Sequence, residues 1–170
     1  MKTAFSEEQI QVRVRALAQE ISRDYAGEII HAIGILDSAF LFFADLVRRI
    51  SLPVHCHFVK MDAADRSEAG ISIKQIAYSS PGKIAGQNVL LVDTVVDSGV
   101  TLDHLVQQLQ LEHPRSVKTA VLINREDHRR VPLRIDYGGF AWKGELLVGY
   151  GLEHEGLYRN LPYLATLPAR

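Results

Sequence analysis

The stretch NVLLVDTVVDSGVTLDHL, residues 88–105, changes character twice. Residues 88–92, NVLLV, form a continuous apolar run of the kind buried inside parallel sheets. Asp93 and Asp97 follow, and Ser98, Gly99 and Thr101 come directly after them. Leu102, Leu105, Val106 and Leu109 then recur at helical spacing. The order is strand, polar loop, helix. A helix N-terminus carries free N–H groups and a partial positive charge, so phosphate binds there readily. Gly99 lets the backbone approach an anion closely. Two aspartates would repel a phosphate, which assigns them to ribose hydroxyls, to Mg²⁺ or to a proton. On spacing alone, an ordinary strand–helix turn capped by Asp or Ser explains the same residues equally well.

The surrounding segments supply a fold. Ser6 and Gln9 fit a capping box, and Ile10, Val14, Leu17 and Ile21 fall on one helical face. Gly27 is the expected C-cap. IIHAIGIL (29–36) reads as a buried strand. AFLFFADLVRRI (39–50) reads as a helix through Phe40, Phe43, Leu46, Val47 and Ile50. VHCHFV (54–59) alternates like a strand. Residues 60–85 are polar and weakly periodic, with an edge strand at GISIKQI (70–76). VKTAVLIN (117–124), RIDYGGFA (134–141) and ELLVGYGL (145–152) complete the strands. Strand alternating with helix predicts an α/β fold with a central, mostly parallel, twisted sheet covered by helices on both faces. In such folds ligands sit beyond the carboxyl ends of strands, where strand order reverses. Asp93 and Asp97 are expected there, just past the end of their strand.

Residues 1–170 read as a single domain without internal repeat or linker. The 19 basic and 20 acidic residues nearly cancel, and no helix-turn-helix segment is added, which argues against a nucleic-acid partner. Cys56 is the only cysteine, so an intrachain disulfide and a cysteine zinc site are excluded. The opening MKTAFSEEQIQVRV lacks the apolar core of a signal peptide, and no apolar run approaches the ~20 residues of a membrane span. The expectation is a cytoplasmic protein with no membrane partner.

VLLVDTVVDSGVTL (89–102) resembles the phosphoribosyl-pyrophosphate loop of type I phosphoribosyltransferases. ILDSAFLFFADLVRRI (35–50) resembles the region around the pyrophosphate loop of the hypoxanthine–guanine phosphoribosyltransferase family. VKTAVLINREDHRRV (117–131) and IDYGGFAWKGELLVGYGLEHEGLYRNLPYL (135–164) resemble its base-binding half. The similarity runs from about residue 10 to 165. It implies the type I phosphoribosyltransferase fold with a small C-terminal base-binding hood. It also implies joining of hypoxanthine or guanine to phosphoribosyl pyrophosphate, giving IMP or GMP and pyrophosphate in purine salvage. Mg²⁺ holds the phosphates in that family, and homodimers or homotetramers are its usual states.

By the same resemblance, Asp97 handles the purine N7 proton as general base. Ser98, Gly99, Val100 and Thr101 cradle the 5′-phosphate. Asp93 and Thr94 occupy the acidic pair that grips ribose hydroxyls. Leu36, Asp37 and Ser38 form the pyrophosphate loop, and Arg159 contacts pyrophosphate. Arg125 reads the purine 6-oxygen, Leu146 lies where an aromatic stacks on the base, and Leu147 meets the base edge through its backbone. Asp93 and Glu153 face the metal.

Several residues depart from the family pattern. Thr94 replaces an acid, and Asp37 stands where lysine is usual, beside a polyanion. That charge reversal costs on the order of a kcal/mol. Arg125 substitutes a fork for a point charge. Leu146 lacks a stacking face worth roughly 1–3 kcal/mol. KMDAADRSEAG (60–70), with Asp62, Asp65 and Glu68, replaces a loop that usually carries Ser-Tyr. These changes favour, as the alternative, a weak or inactive homologue that binds purine nucleotide or phosphate as a sensor or scaffold. His55 and His57 share a strand face, as a metal-ligand pair would, but no third ligand has motivating spacing. EDHRR (126–130) reads as a solvated turn. Trp142 is a packing residue near the base-binding region, with a lesser claim to replace the missing stacker.

Overall fold

A computed structural model describes residues 1–60, 62–68, 71–77 and 83–167, with side chains described for 1–60 and 83–167. The first helix, α1 (Glu7–Asp24), starts as expected. The Ser6 hydroxyl accepts from Gln9 N–H, and the Gln9 side chain accepts from Ser6 N–H. Its stripe of Ile10, Val14, Leu17 and Ile21 is fully buried. The helix stops at Tyr25, the C-cap, so the expected cap Gly27 lies two residues further on, in the turn at φ +80°.

Five strands form one parallel sheet: β2 (Ile30–Leu36), β3 (Val54–Lys60), β6 (Asn88–Val96), β7 (Ser116–Asn124) and β8 (Tyr137–Ala141). Their spatial order is β3-β2-β6-β7-β8. The chain leaves β2 through α2 (Phe40–Val47) for the β3 edge, then returns to β2's other side as β6 and continues outward through α3 (Val100–Leu111) to β7. Strand order therefore reverses between β2 and β6, and their carboxyl ends open the crevice where such sheets bind ligands. An antiparallel pair, β4 (Asp62–Glu68) and β5 (Ile71–Ala77), separates β3 from β6.

Alternation along β6 divides the core. Leu90 and Val92 face α1 and α2, packing with Leu17, Phe42 and Leu46. Val89 and Leu91 face the other side, packing with Leu102, Leu105 and Leu109 of α3. Each such leucine contributes about 2 kcal/mol of burial. In α2 the buried stripe is Phe42, Phe43 and Leu46, whereas Phe40, expected in the core, remains 39% exposed. Phe42 has moved inward because α2 packs on α1 as well as on the sheet.

Three expectations change. Residues 93–96 continue β6, because β7 goes on pairing beyond the point where β2 departs: Val95 faces Ile123, and Val96 faces Asn124. Asp93 is therefore inside the sheet, and only Asp97 follows the strand's end. The strand read at 145–152 shrinks to β9 (Leu147–Val148), because Gly149 and Gly151 turn the chain at φ +98° and +94°. The hood is not C-terminal alone: β10 (Leu164–Thr166) pairs with β9 on one side and with β1 (Lys2–Phe5) on the other.

Asp45 joins helix, sheet cover and hood. Its carboxylate accepts from Tyr150 Oη (2.6 Å), Gln11 Nε2 (2.8 Å) and Arg48 Nη2 (2.5 Å). Burial pushes this carboxyl up, but those hydrogen bonds and the charge of Arg49 outweigh it and hold it below the usual carboxylate range. Asp45→Asn is expected to cost about 2 kcal/mol, lowering the unfolding midpoint by roughly 4–8 °C. A carboxyl held low in the folded state contributes stability above its unfolded pKa of about 4 and loses it as pH falls through the folded value. Thermal unfolding from pH 7 to pH 3 should therefore show the gap between wild type and Asp45→Asn closing on acidification.

Candidate active site

Two loops meet in the crevice. The loop after β2 holds Leu36, Asp37 and Ser38, and its Leu36–Asp37 peptide bond is cis. Asp37 is exposed at its tip. Ser38 is held from three directions. Its Oγ donates to Asp93 Oδ1 (3.2 Å), its carbonyl accepts from Thr94 Oγ1 (2.9 Å), and Gly151 of the hood lies against that carbonyl so closely that a Cβ would collide with it. Thr94 thus braces the loop. An aspartate there would set a carboxylate against a carbonyl oxygen.

The second loop joins β6 to α3. Gly99 is the N-cap at φ +82°, and no side chain caps the helix. Asp97 does not cap the helix and Ser98 Oγ accepts only from Val100 N–H (3.4 Å), so the next amides of α3, those of Thr101 and Leu102, keep their donors for an anion. Gly99 also has no room for a Cβ, because Arg129 Cδ would lie 2.8 Å away. The charge run 126–130 is therefore not a free turn. A 3-10 turn, Glu126–His128, carries it against the loop, and Arg130 N–H donates to the Ser98 carbonyl (2.9 Å). Arg129 hydrogen-bonds Asn124, while its Nε and Nη1 are buried with no hydrogen-bond partner among the described residues.

Between the loops lies a cavity of about 300 Å³, large enough for a small ring system. Ser38, Asp97, Arg125, Leu146, Leu147, Glu153 and Arg159 line it, together with Val95 and Leu152. Asp97 Oδ1 is 2.9 Å from His128 Nδ1 and 3.6 Å from Arg125 Nε. Arg125 Nη2 donates to the Gly144 carbonyl (2.9 Å) and lies 3.0 Å from His128 Nε2. Arg159 Nη1 donates to the Gly151 carbonyl (2.6 Å), and its Nη2 is 3.9 Å from Glu153. Glu153 also accepts from Gly156 N–H. Leu146, 48% exposed, offers an aliphatic rim where a stacking ring was expected to be missed.

Asp93 and Thr94 do not line this cavity. Burial pushes the Asp93 carboxyl up to about 7, against hydrogen bonds from Thr94 N–H, Ser38 Oγ and Val95 N–H. Residues that line the cavity but carried no expectation are Val95 and Leu152, plain apolar walls, and no local pattern marks His128 as reaching Asp97. Trp142 lies elsewhere. It packs edge-on against Phe5 and donates Nε1–H to the Glu145 carbonyl (3.0 Å). The acidic side chains Asp62, Asp65 and Glu68 lie outside the described side chains. His31 joins His55 and His57 on the sheet face, with its Nδ1 3.2 Å from His57 Nε2. Even so, among the described residues no group of three or more His, Cys, Asp or Glu could hold a metal ion. Nor is any described helix long and apolar enough to cross a membrane.

A parallel sheet with a helix N-terminus and a carboxylate at its switch point is the arrangement in which α/β folds bind phosphorylated ligands. Residues 5–153 match the phosphoribosyl transferase domain family. A hypoxanthine-guanine phosphoribosyltransferase of Mycobacterium avium is 36% identical over 96% of this chain and 83% of its own length. The crystal structure of a hypoxanthine-guanine phosphoribosyltransferase from Bacillus anthracis superposes with a TM-score of 0.88 at 34% identity, covering 99% of this chain and 98% of that one. The Trypanosoma cruzi hypoxanthine phosphoribosyltransferase in complex with its product IMP gives 0.90 at 30% identity, covering 99% and 94%. The chain belongs to the hypoxanthine-guanine phosphoribosyltransferase family.

The contact between hood and loop gives a direct test. Gly151→Ala places a Cβ against the Ser38 carbonyl at a φ that L-residues avoid. It is expected to cost about 2–3 kcal/mol, seen as a fall of roughly 5–10 °C in the unfolding midpoint. Gly156→Ala, with open space around its Cβ, carries only the φ penalty and should fall less.

Proposed function

We propose that the chain transfers the phosphoribosyl group of phosphoribosyl pyrophosphate to hypoxanthine or guanine, forming IMP or GMP and pyrophosphate in purine salvage. The observation that carries this reading is the cavity itself. It sets Asp97 and Arg125 on one side and Ser38, Glu153 and Arg159 on the other, and Asp97 leads directly into the loop that starts α3. The 5′-phosphate sits on residues 98–101, which places the ribose C1 carbon between the two sides. The base enters beside Leu146 and Leu147, with the Arg125 guanidinium available to its 6-oxygen. N9 of the base bonds to C1 as the bond from C1 to pyrophosphate breaks, and the N7 proton passes to Asp97. Charge builds on the leaving oxygens, where Arg159 and the Ser38 loop receive it.

Of the two carboxylates assigned to Mg²⁺, one fits a site where the diphosphate supplies most of the oxygens. Asp93, expected as a second ligand, is enclosed in the sheet and does not line the cavity, whereas Glu153 lines it and would hold Mg²⁺ against the substrate's diphosphate. Bound there, it neutralises charge on the diphosphate. We assign the protein to the cytoplasm and expect a homodimer or homotetramer, to be checked by light scattering.

Asp37 and Leu146 support a second reading, a binder with little turnover. The first places an anion at the tip of the Ser38 loop, and the second leaves the base without an aromatic partner. A spectrophotometric assay with hypoxanthine, guanine and xanthine, plus phosphoribosyl pyrophosphate and Mg²⁺, separates the two. Turnover with hypoxanthine or guanine is expected. Asp97→Asn should lower kcat by about 10²- to 10⁴-fold with the KM for phosphoribosyl pyrophosphate little changed. Folded protein that turns over none of the three bases contradicts the first reading.

A further inference from the structure

We infer that His128 is a positioning residue for Asp97, acting as a neutral imidazole that carries its proton on Nδ1; this rests on the proposed transfer reaction. The hydrogen bonds dictate the tautomer. Arg125 Nη2 can only donate, so His128 Nε2, 3.0 Å away, has to accept and carries no proton. The proton is then on Nδ1, which donates to Asp97 Oδ1 at 2.9 Å. One carboxylate oxygen is thereby fixed, and the other is left to take the purine proton. Arg125 is fixed from its far side by the Gly144 carbonyl, so the chain from Gly144 through Arg125 and His128 to Asp97 is continuous.

The groups facing the imidazole are Asp97 from the phosphate loop and Arg125 from the turn after β7. On its own turn, Glu126 is occupied by Asn124 Nδ2 (3.0 Å), and Arg129 is directed to the Asn124 side-chain oxygen. Asp127 makes no side-chain hydrogen bond among the described residues. A second proton, added at Nε2, would set two donors, both cationic, against each other. Arg125 would be repelled, and Asp97 would face a full positive charge that makes it a poorer base. His128 is 46% exposed on a short turn and bears little of the core, so its replacement leaves the fold intact.

The test pairs spectroscopy with kinetics. In nucleotide-free protein at pH 7.5, ¹⁵N-resolved NMR should show His128 in the Nδ1–H tautomer; the Nε2–H tautomer overturns the inference whether or not the protein is active. In the transfer assay, His128→Ala should lower kcat about tenfold, the loss of one charge-assisted hydrogen bond, with an unchanged KM for phosphoribosyl pyrophosphate. His128→Asn retains a donor near Nδ1 and should recover kcat to within about threefold of wild type. A His128→Asn enzyme as impaired as His128→Ala, or a His128→Ala enzyme with wild-type kcat, overturns the inference. Absence of turnover in folded wild-type protein counts against the transfer reaction instead, and the tautomer then decides the inference alone.

Discussion

β2 and β6 pair only as far as Gly34 and Val92, and the site depends on their parting there. Beyond that point β6 leans on β7 alone and carries Asp93 to Val96 past its former neighbour. The backbone that β2 no longer pairs is covered by its own loop, through the Ser38 carbonyl and the Thr94 hydroxyl. The sheet thus ends in two loops set side by side, one leading into an uncapped helix and the other clamped by the hood at Gly151. A strand of continuous Val and Leu that must also hold Asp93 does so at a cost, seen in the raised carboxyl. That cost is tolerable because Ser38 and two backbone amides solvate it.

Substitutions that looked like losses in the sequence are partly resolved by this geometry. Thr94 gives up an acidic charge and gains a brace on the Ser38 loop. Arg125 replaces a point charge by a fork, whose Nη2 is committed to Gly144 and His128, while Nε, without a hydrogen-bond partner among the described residues, lies at ion-pair distance (3.6 Å) from Asp97. Asp37 and Leu146 have no comparable partner among the described residues, and nothing in the structure explains them.

The sequence carried the local signals well. The capping box at Ser6 and Gln9, the stripe of α1 and the apolar run of β6 depend on neighbours within a turn or on one strand's burial. Most of the cavity wall was also legible, through Ser38, Asp97, Arg125, Leu147, Glu153 and Arg159, because a family motif marks them. The missing parts depend on partners distant in the chain. Lys2–Phe5 becomes a strand only because Leu164–Thr166 lies beside it. Asp93 looked like a strand end because a carboxylate rarely sits in a sheet interior, and only the register with Val121 shows that it does. The charge run at 126–130 looked solvated because nothing local tells that Gly99 leaves space for Arg129.

The phosphate grip of the loop 98–101 is the central claim, and calorimetric titration of the protein with IMP and with inosine tests it most directly. The two ligands differ only in the 5′-phosphate. If the open amides of α3 and the hydroxyls of Ser98 and Thr101 hold that group, IMP should bind about a hundredfold or more tightly than inosine. Equal affinity for both would contradict the account.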